Sequence, residues 1–405
     1  MVHSVSDTSV PAPAGPVVSV PVAQACAGLL ELLGGVSDGR SDQGREHPVS
    51  VVLALAAAAV VAGMRGYTAI TGWVADVPAT ILADLYIRAG VLPAGPPSKT
   101  TIWRVLTDAD AEAFDAAVGR WLMGLAGLTA APGAAGRDDS PVLMQVRLDG
   151  KTIRGAKDTE GNQRHLLAAL TGPDAATSVV AAQAEVGAKT NEVAMAAAVL
   201  GRIDLNNKIV TADALHTVKA TAQHIHERGG QFVFPVKENR RALFDALDAL
   251  AWQDVPVAHR SVDKGHGRLT TRTIQVRPAP PDLPFPHVNQ VFLIERYVSD
   301  LRGGPISAIA ALGVASPKPD QASPTDLAGY VREQWSIESL HWIRDTLYQE
   351  DKSQIKTRSG PRIMAALRNL AIGALRLAGR TDITEATRWA ARRMSRPFTI
   401  LGLTS

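Results

Sequence analysis

Cysteine occurs once in the 405 residues, at Cys26. A single thiol excludes a disulfide framework within the chain and any zinc site built from several thiolates, and it suits a reducing cytosol. A surplus of one charge is also missing. Lys and Arg total 42 and Asp and Glu 39, a formal +3, so the overall balance names no polyanionic partner. Long hydrophobic runs are absent too. The longest apolar stretch, Val49 to Met64, falls short of the roughly 20 residues that span a bilayer. It is expected as a buried helix, and no membrane partner follows. Met1 to Pro21 is rich in Ser, Val, Pro and Ala and lacks a basic segment followed by an apolar one. It reads as a disordered leader rather than a signal peptide, and a cytoplasmic protein is expected.

What is present is length, and charge gathered in one place. A chain of this size holds a large core and two or three domains. From Lys352 to Arg396 eleven Lys and Arg face only Asp382 and Glu385. Such a local surplus suits a phosphate backbone, and a solvated helical face equally well.

The first part of the chain reads as helical. Val22 to Leu33 runs to Gly34-Gly35, Pro48 opens the apolar helix, and Tyr67 to Val74 and Thr80 to Ala89 are short helices. Ser98 then caps a helix whose Ile102, Val105 and Leu106 share one face. Lys99, Thr100, Trp103 and Arg104 point elsewhere. A short polar-faced helix after a small bundle is the pattern of a helix-turn-helix, and of a plain helical bundle. Lys99, Thr100 and Arg104 are its candidate DNA contacts. Ala130 to Ser140, rich in Gly, Ala, Pro and Asp, marks a linker.

Beyond the linker the texture alternates. Val142 to Leu148, Leu166 to Thr171 and Ser178 to Val186 read as strands, followed by a helix from Glu192 capped by Asn191. Lys208 to Thr211 and Gln231 to Val236 are strands, each followed by a helix. This order predicts a mixed α/β sheet with helices on both faces. Between about 255 and 323, prolines separate short β-branched runs at Leu269 to Val276, Gln290 to Arg296 and Ile306 to Leu312, a β-rich insertion. One long helix is expected from Thr325 to Tyr348, and Pro361 opens a last basic helical stretch.

Three carboxylates organise the second half. Asp149 is expected to close the first strand and Asp213 the fourth, which places both at one sheet edge if those strands are neighbours. Glu338 lies on the long helix, with Gln334, Trp335, His341, Trp342 and Asp345 within about 60° of it at 100° per residue. Acidic groups gathered in this way repel unless a cation neutralises them, and oxygen donors favour Mg²⁺ or Mn²⁺. Two such ions serve phosphodiester chemistry well. Trp335 and Trp342 could stack on bases or equally belong to the core, and for Trp335 the core is the preferred reading. The plainer alternatives are a helix cap for each Asp and solvation for the Glu.

Several stretches together resemble the bacterial insertion-sequence transposases of the DDE type, in the branch that includes the H-repeat-associated proteins. They are Leu148-Asp149-Gly150-Lys151-Thr152-Ile153-Arg154-Gly155, Thr211-Ala212-Asp213-Ala214-Leu215-His216, Phe234-Pro235-Val236-Lys237-Glu238-Asn239, His266-Gly267-Arg268 and Trp335-Ser336-Ile337-Glu338-Ser339-Leu340-His341-Trp342. The resemblance spans about Leu30 to Leu375. It implies a ribonuclease H-like catalytic core at 141–375, carrying the triad Asp149, Asp213 and Glu338 and interrupted by the insertion. A helical N-terminal domain at 22–129 precedes it and a basic tail at 376–405 follows. The wider group often has Tyr, Arg and Lys seven before, four before and seven after the Glu, where this chain has Val331, Gln334 and Asp345. The branch usually has His four before and Asn just after, here Gln334 and Ser339.

The implied activity is cleavage at the element's inverted ends, then joining of the 3′-hydroxyls to target DNA, with two Mg²⁺ or Mn²⁺ ions held by the triad. Lys151, Arg154, His216, Lys237, His266, Arg268, Arg332 and Trp342 are the expected DNA contacts. Double-stranded DNA and a homodimer or larger assembly are the implied partners. A DNA-binding relic of the same fold and a stand-alone metal nuclease are the rival readings.

Overall fold

The computed structural model describes residues 28–41, 45–128, 143–157, 160–187, 191–265 and 267–404. The expected leader and linker, and His266, lie outside them. The first helices are α1 (Leu29–Gly34), α2 (Val49–Val61), α3 (Tyr67–Ala75), α4 (Ala79–Arg88), α5 (Lys99–Asp108) and α6 (Ala111–Leu125). After them come β1 (Met144–Lys157), β2 (Gln163–Thr171), β3 (Val179–Val186), α7 (Glu192–Leu200), β4 (Lys208–Thr211), α8 (Lys219–Glu227), β5 (Gln231–Val236) and α9 (Arg241–Asp248). The chain continues through β6 (His259–Gly265), β7 (Arg268–Pro278), β8 (Gln290–Asp300) and β9 (Pro305–Ala315). It finishes with α10 (Pro324–Glu333), α11 (Trp335–Thr346), α12 (Gly360–Leu377), α13 (Ile383–Ala391) and α14 (Ser395–Ile400).

Among the described residues the strands form one nine-stranded sheet, ordered β3-β2-β1-β4-β5-β9-β8-β7-β6. Strands β1, β2 and β3 are antiparallel neighbours, while β4 runs parallel to β1 and β5 parallel to β4. This five-strand unit is the ribonuclease H-like arrangement, and helices cover both its faces. Alternation along the strands sorts the core. Leu167 and Ala169 of β2 pack with α7 and α8, whereas Ala168 and Leu170 join the core shared by α2, α6 and α12. The apolar run at 49–64 is the centre of that second core, with Val51 to Val61 all at most 1% exposed. Among the described residues no single helix is long and apolar enough to cross a membrane.

The β-rich segment does not stand apart from the sheet. Strand β9 pairs with β5 from Val233↔Ala315 to Val236↔Leu312, and β8, β7 and β6 follow as an antiparallel ribbon. Only the sheet-proximal end of β9 is buried; Pro305 to Ala310 are exposed, so the outer ribbon projects from the body. Strand β6, His259–Gly265, has polar residues on both faces and no apolar alternation to announce it. The single helix expected over 325–348 is two, because the chain breaks at Gln334 between α10 and α11. Two helices, α13 and α14, occupy part of the stretch expected as a basic tail, and Phe398 and Leu401 enter the helical core.

Candidate active site

Strands β1 and β4 pair over four residues, from Met144↔Lys208 to Arg147↔Thr211. Asp149 and Asp213 each stand two residues beyond that last pair, so the register sets them side by side at the carboxyl edge of the parallel strands. Strand β1 does not end there, contrary to the expectation from sequence. It runs on through Gly150 to Lys157, paired with β2 alone (Asp149↔Ala168), because β4 is short and has already turned away. Asp149 therefore marks the end of the parallel pairing within a longer strand. Asp213 leaves β4 and caps a tight helical turn, Oδ1 accepting the Leu215 N–H at 2.9 Å.

Glu338 is brought to this edge by Gln334. The Gln334 amide donates to the Leu148 carbonyl at 3.1 Å, and its Oε1 accepts from the Thr211 hydroxyl. One side chain thus ties together the residue before Asp149, the end of β4 and the start of α11, one turn ahead of Glu338. That joint also explains the broken helix. Strand β5 and the ribbon carry α10, whereas β1 carries α11, and Gln334 is seated where the two supports meet.

The carboxylates feel one another. Burial, with the negative charges of Glu192, Asp213 and Glu338 added, raises Asp149 to about 7 against a single favourable bond from the Gly150 N–H. His341, one turn beyond Glu338, brings Nδ1 within 3.4 Å of Asp149 Oδ2. Burial pushes this imidazole down to about 3, aided by the positive charges of Arg344 and Lys151, so it stands neutral beside the aspartate.

Glu192 was read from the sequence only as part of a helix start. In the fold its two oxygens accept from His165 Nε2 and His216 Nε2, each at 2.7 Å, and Thr152 Oγ1 meets His165 Nδ1 at 2.9 Å. Burial would raise Glu192, but the two histidine bonds outweigh it and hold the group at about 2. It is a fourth carboxylate, permanently charged, behind Asp149. Gly150 is glycine for this reason: a Cβ there would collide with Glu192 Oε2 and His165 Nε2.

The expected DNA contacts divide. His216 is 0% exposed and bound to Glu192, so burial removes it from any contact with DNA. Lys151 is 7% exposed, with Nζ 2.6 Å from Asp345 and 3.7 Å from Asp351. It is an internal tie between β1 and α11 rather than a phosphate ligand. Arg154 is exposed, with Nε 3.5 Å from Asp351, and Arg332 reaches Asp263 on β6 at 3.1 Å. Lys237 and Arg268 are exposed, Arg268 at the turn between β6 and β7, and Trp342 is 66% exposed on α11. Lys99, Thr100 and Arg104 lie on the exposed face of α5, whose cap Ser98 accepts the Thr101 N–H and whose Ile102, Val105 and Leu106 are buried.

Among the described residues no three His, Cys, Asp or Glu side chains are closed around a common point as a metal site. The donor chemistry nevertheless fits a hard cation. Asp149 is raised partly by the charges of Asp213 and Glu338, and a divalent ion relieves such repulsion through oxygen donors alone.

A sheet of this strand order, with acidic groups where its central parallel strands part, defines a ribonuclease H-like enzyme framework. The model for the transposase DDE domain matches residues 145–373, and the model described as DDE_Tnp_1-associated matches 30–122. The chain belongs to the transposase DDE domain family. It is 32% identical over 242 residues to an uncharacterized protein in the dhlA 3′ region of Xanthobacter autotrophicus, covering 58% of this chain and 76% of that one. It is 25% identical to the putative transposase YncI of Escherichia coli O157:H7, over 86% of this chain and 87% of the other. The H repeat-associated putative transposase YhhI of Escherichia coli strain K12 is also 25% identical, over 86% and 90%.

Proposed function

We propose that this transposase cuts DNA at the inverted ends of its own insertion sequence and transfers the freed 3′-hydroxyls to target DNA. The carrying observation is the shared offset of Asp149 and Asp213 beyond Arg147↔Thr211, with Glu338 close enough to add to the raised value of Asp149. Asp149, Asp213 and Glu338 would hold Mg²⁺ or Mn²⁺, two ions in the full site. When bound, such ions neutralise charge on the phosphodiester and activate the attacking oxygen. The chain's own residues do the positioning. Gln334 fixes α11 against β1 and β4, Lys151 locks the far end of that helix through Asp345, and Glu192 with its two histidines fixes the backbone behind Asp149.

Exposed Arg154, Lys237, Arg268, Arg332 and Trp342 are the groups available to DNA around this edge, the tryptophan offering a stacking surface. Bringing two ends together calls for a dimer or larger assembly on the DNA. The test is incubation with a duplex carrying the terminal repeat, plus plasmid target, in Mg²⁺ or in EDTA. Cleaved ends and joined products are expected in Mg²⁺ alone, and neither from Asp213→Asn or Glu338→Gln. Absence of metal-dependent cleavage would refute the proposal, and cleavage without joining would reduce the protein to a nuclease.

A further inference from the structure

A groove of about 550 Å³ lies between α3, α5 and the segment that follows α11. Arg65, Lys99, Lys352 and Lys356 line it, with Trp103 beside them, and among the described residues no acidic side chain does. All four cations are exposed, and among the described residues none of them makes an ion pair. Their neighbours behave differently. Arg358 is paired with Asp108, Arg362 with Asp115, and Arg344 and Arg368 with Glu350. These four arginines, which do not line the groove, are neutralised by carboxylates.

Backbone geometry adds to the side chains. Helix α3 starts in the groove at Gly66, where no side chain caps its first turn. Its leading N–H groups and the positive end of its dipole are therefore open to an anion. Tyr348 also lines the groove and is 1% exposed, and among the described residues its buried hydroxyl has no hydrogen-bond partner. The segment that carries Lys352 and Lys356 also carries Asp351, which holds Lys151 and Arg154 on β1.

We propose that this groove is a second DNA site, gripping the phosphodiester backbone of a duplex beside the acidic edge, and so spanning the helical and sheet parts of the chain. The inference rests on the reading of the protein as an enzyme acting on DNA. The groove offers cations, N–H groups and an aromatic side but no base-reading pattern, so its grip is independent of sequence.

The test is fluorescence anisotropy over a salt series, with a terminal-repeat duplex and an unrelated duplex of equal length. Wild type, Lys352→Ala/Lys356→Ala and Lys352→Arg/Lys356→Arg are compared, with melting temperature as a check on folding. The alanine pair is expected to weaken both duplexes by the same factor and to lower the slope of log affinity against log salt by about 1.8, at roughly 0.9 for each lost phosphate contact. The arginine pair is expected to restore both. Unchanged affinity and slope in the alanine pair, with wild type still binding and cutting, would overturn the groove alone. A loss confined to the terminal repeat would overturn its independence of sequence. Failure of wild type to bind any duplex would overturn the DNA reading together with the groove.

Discussion

Replacing Asp149 by Asn should stabilise the metal-free protein while abolishing cleavage. The carboxyl moves from an ordinary 3.8 to about 7 in the fold, which at about 1.36 kcal/mol per decade sets an upper limit near 4 kcal/mol on the cost of ionising it. The side chain is 25% exposed, and solvent screening brings the expected effect to about 1–3 kcal/mol. The sign follows from linkage. A carboxyl raised in the fold contributes its full stability below 3.8 and loses it as pH rises through 7, because the unfolded chain releases its proton first. Asn mimics the protonated form at every pH. In EDTA the two proteins should unfold alike near pH 4, separate between pH 4 and 7, and differ by a constant amount at pH 8. Urea titrations followed by tryptophan fluorescence across that range measure it. Millimolar Mg²⁺ at pH 8 should then raise the midpoint of wild type more than that of the variant. A variant no more stable than wild type at pH 8 in EDTA, or a difference that ignores pH, would refute the raised value of Asp149 and its account by burial and neighbouring charge.

Two further substitutions probe the supports. Gln334→Ala removes the bonds to Leu148 and Thr211; single-turnover cleavage should fall on the order of 100-fold, as for a misplacement of about 1 Å, with the melting temperature changed by only a few degrees. Glu350→Ala leaves Arg344 and Arg368 without their shared partner in a site 0% exposed; denaturation should show a loss of about 3–5 kcal/mol, and a loss below 1 kcal/mol would contradict the buried ion triad.

The two aspartates were legible as neighbours because each follows an apolar run that becomes one of two paired parallel strands, where chain direction and strand adjacency do the rest; Glu338 was legible only as one face of a helix. Alternation and capping located most elements for the same reason: period and local hydrogen bonding are written in neighbouring residues. Burial is not. Lys151 and His216 look like DNA ligands in sequence because basic residues beside an acidic motif resemble phosphate clamps; only the fold reveals Asp345 and Glu192 as their partners. Glu192 escaped notice because a glutamate in a first helical turn has an ordinary explanation, and its histidines come from β2 and the turn after β4. The break at Gln334 carries no Pro or Gly to announce it; its cause is a pair of contacts to strands more than 100 positions earlier. The common core of α2 and α12 is equally nonlocal.

The seating of Gln334 has a mechanical corollary. Helix α10 rests on the ribbon side of the sheet and is linked to β6 through Arg332 and Asp263, and it ends at the residue that anchors the next helix. A displacement of the projecting ribbon would therefore bear on that anchor through α10, one helical turn from Glu338. The position of Glu338 is thus set by a joint between the ribbon side of the sheet and its central strands.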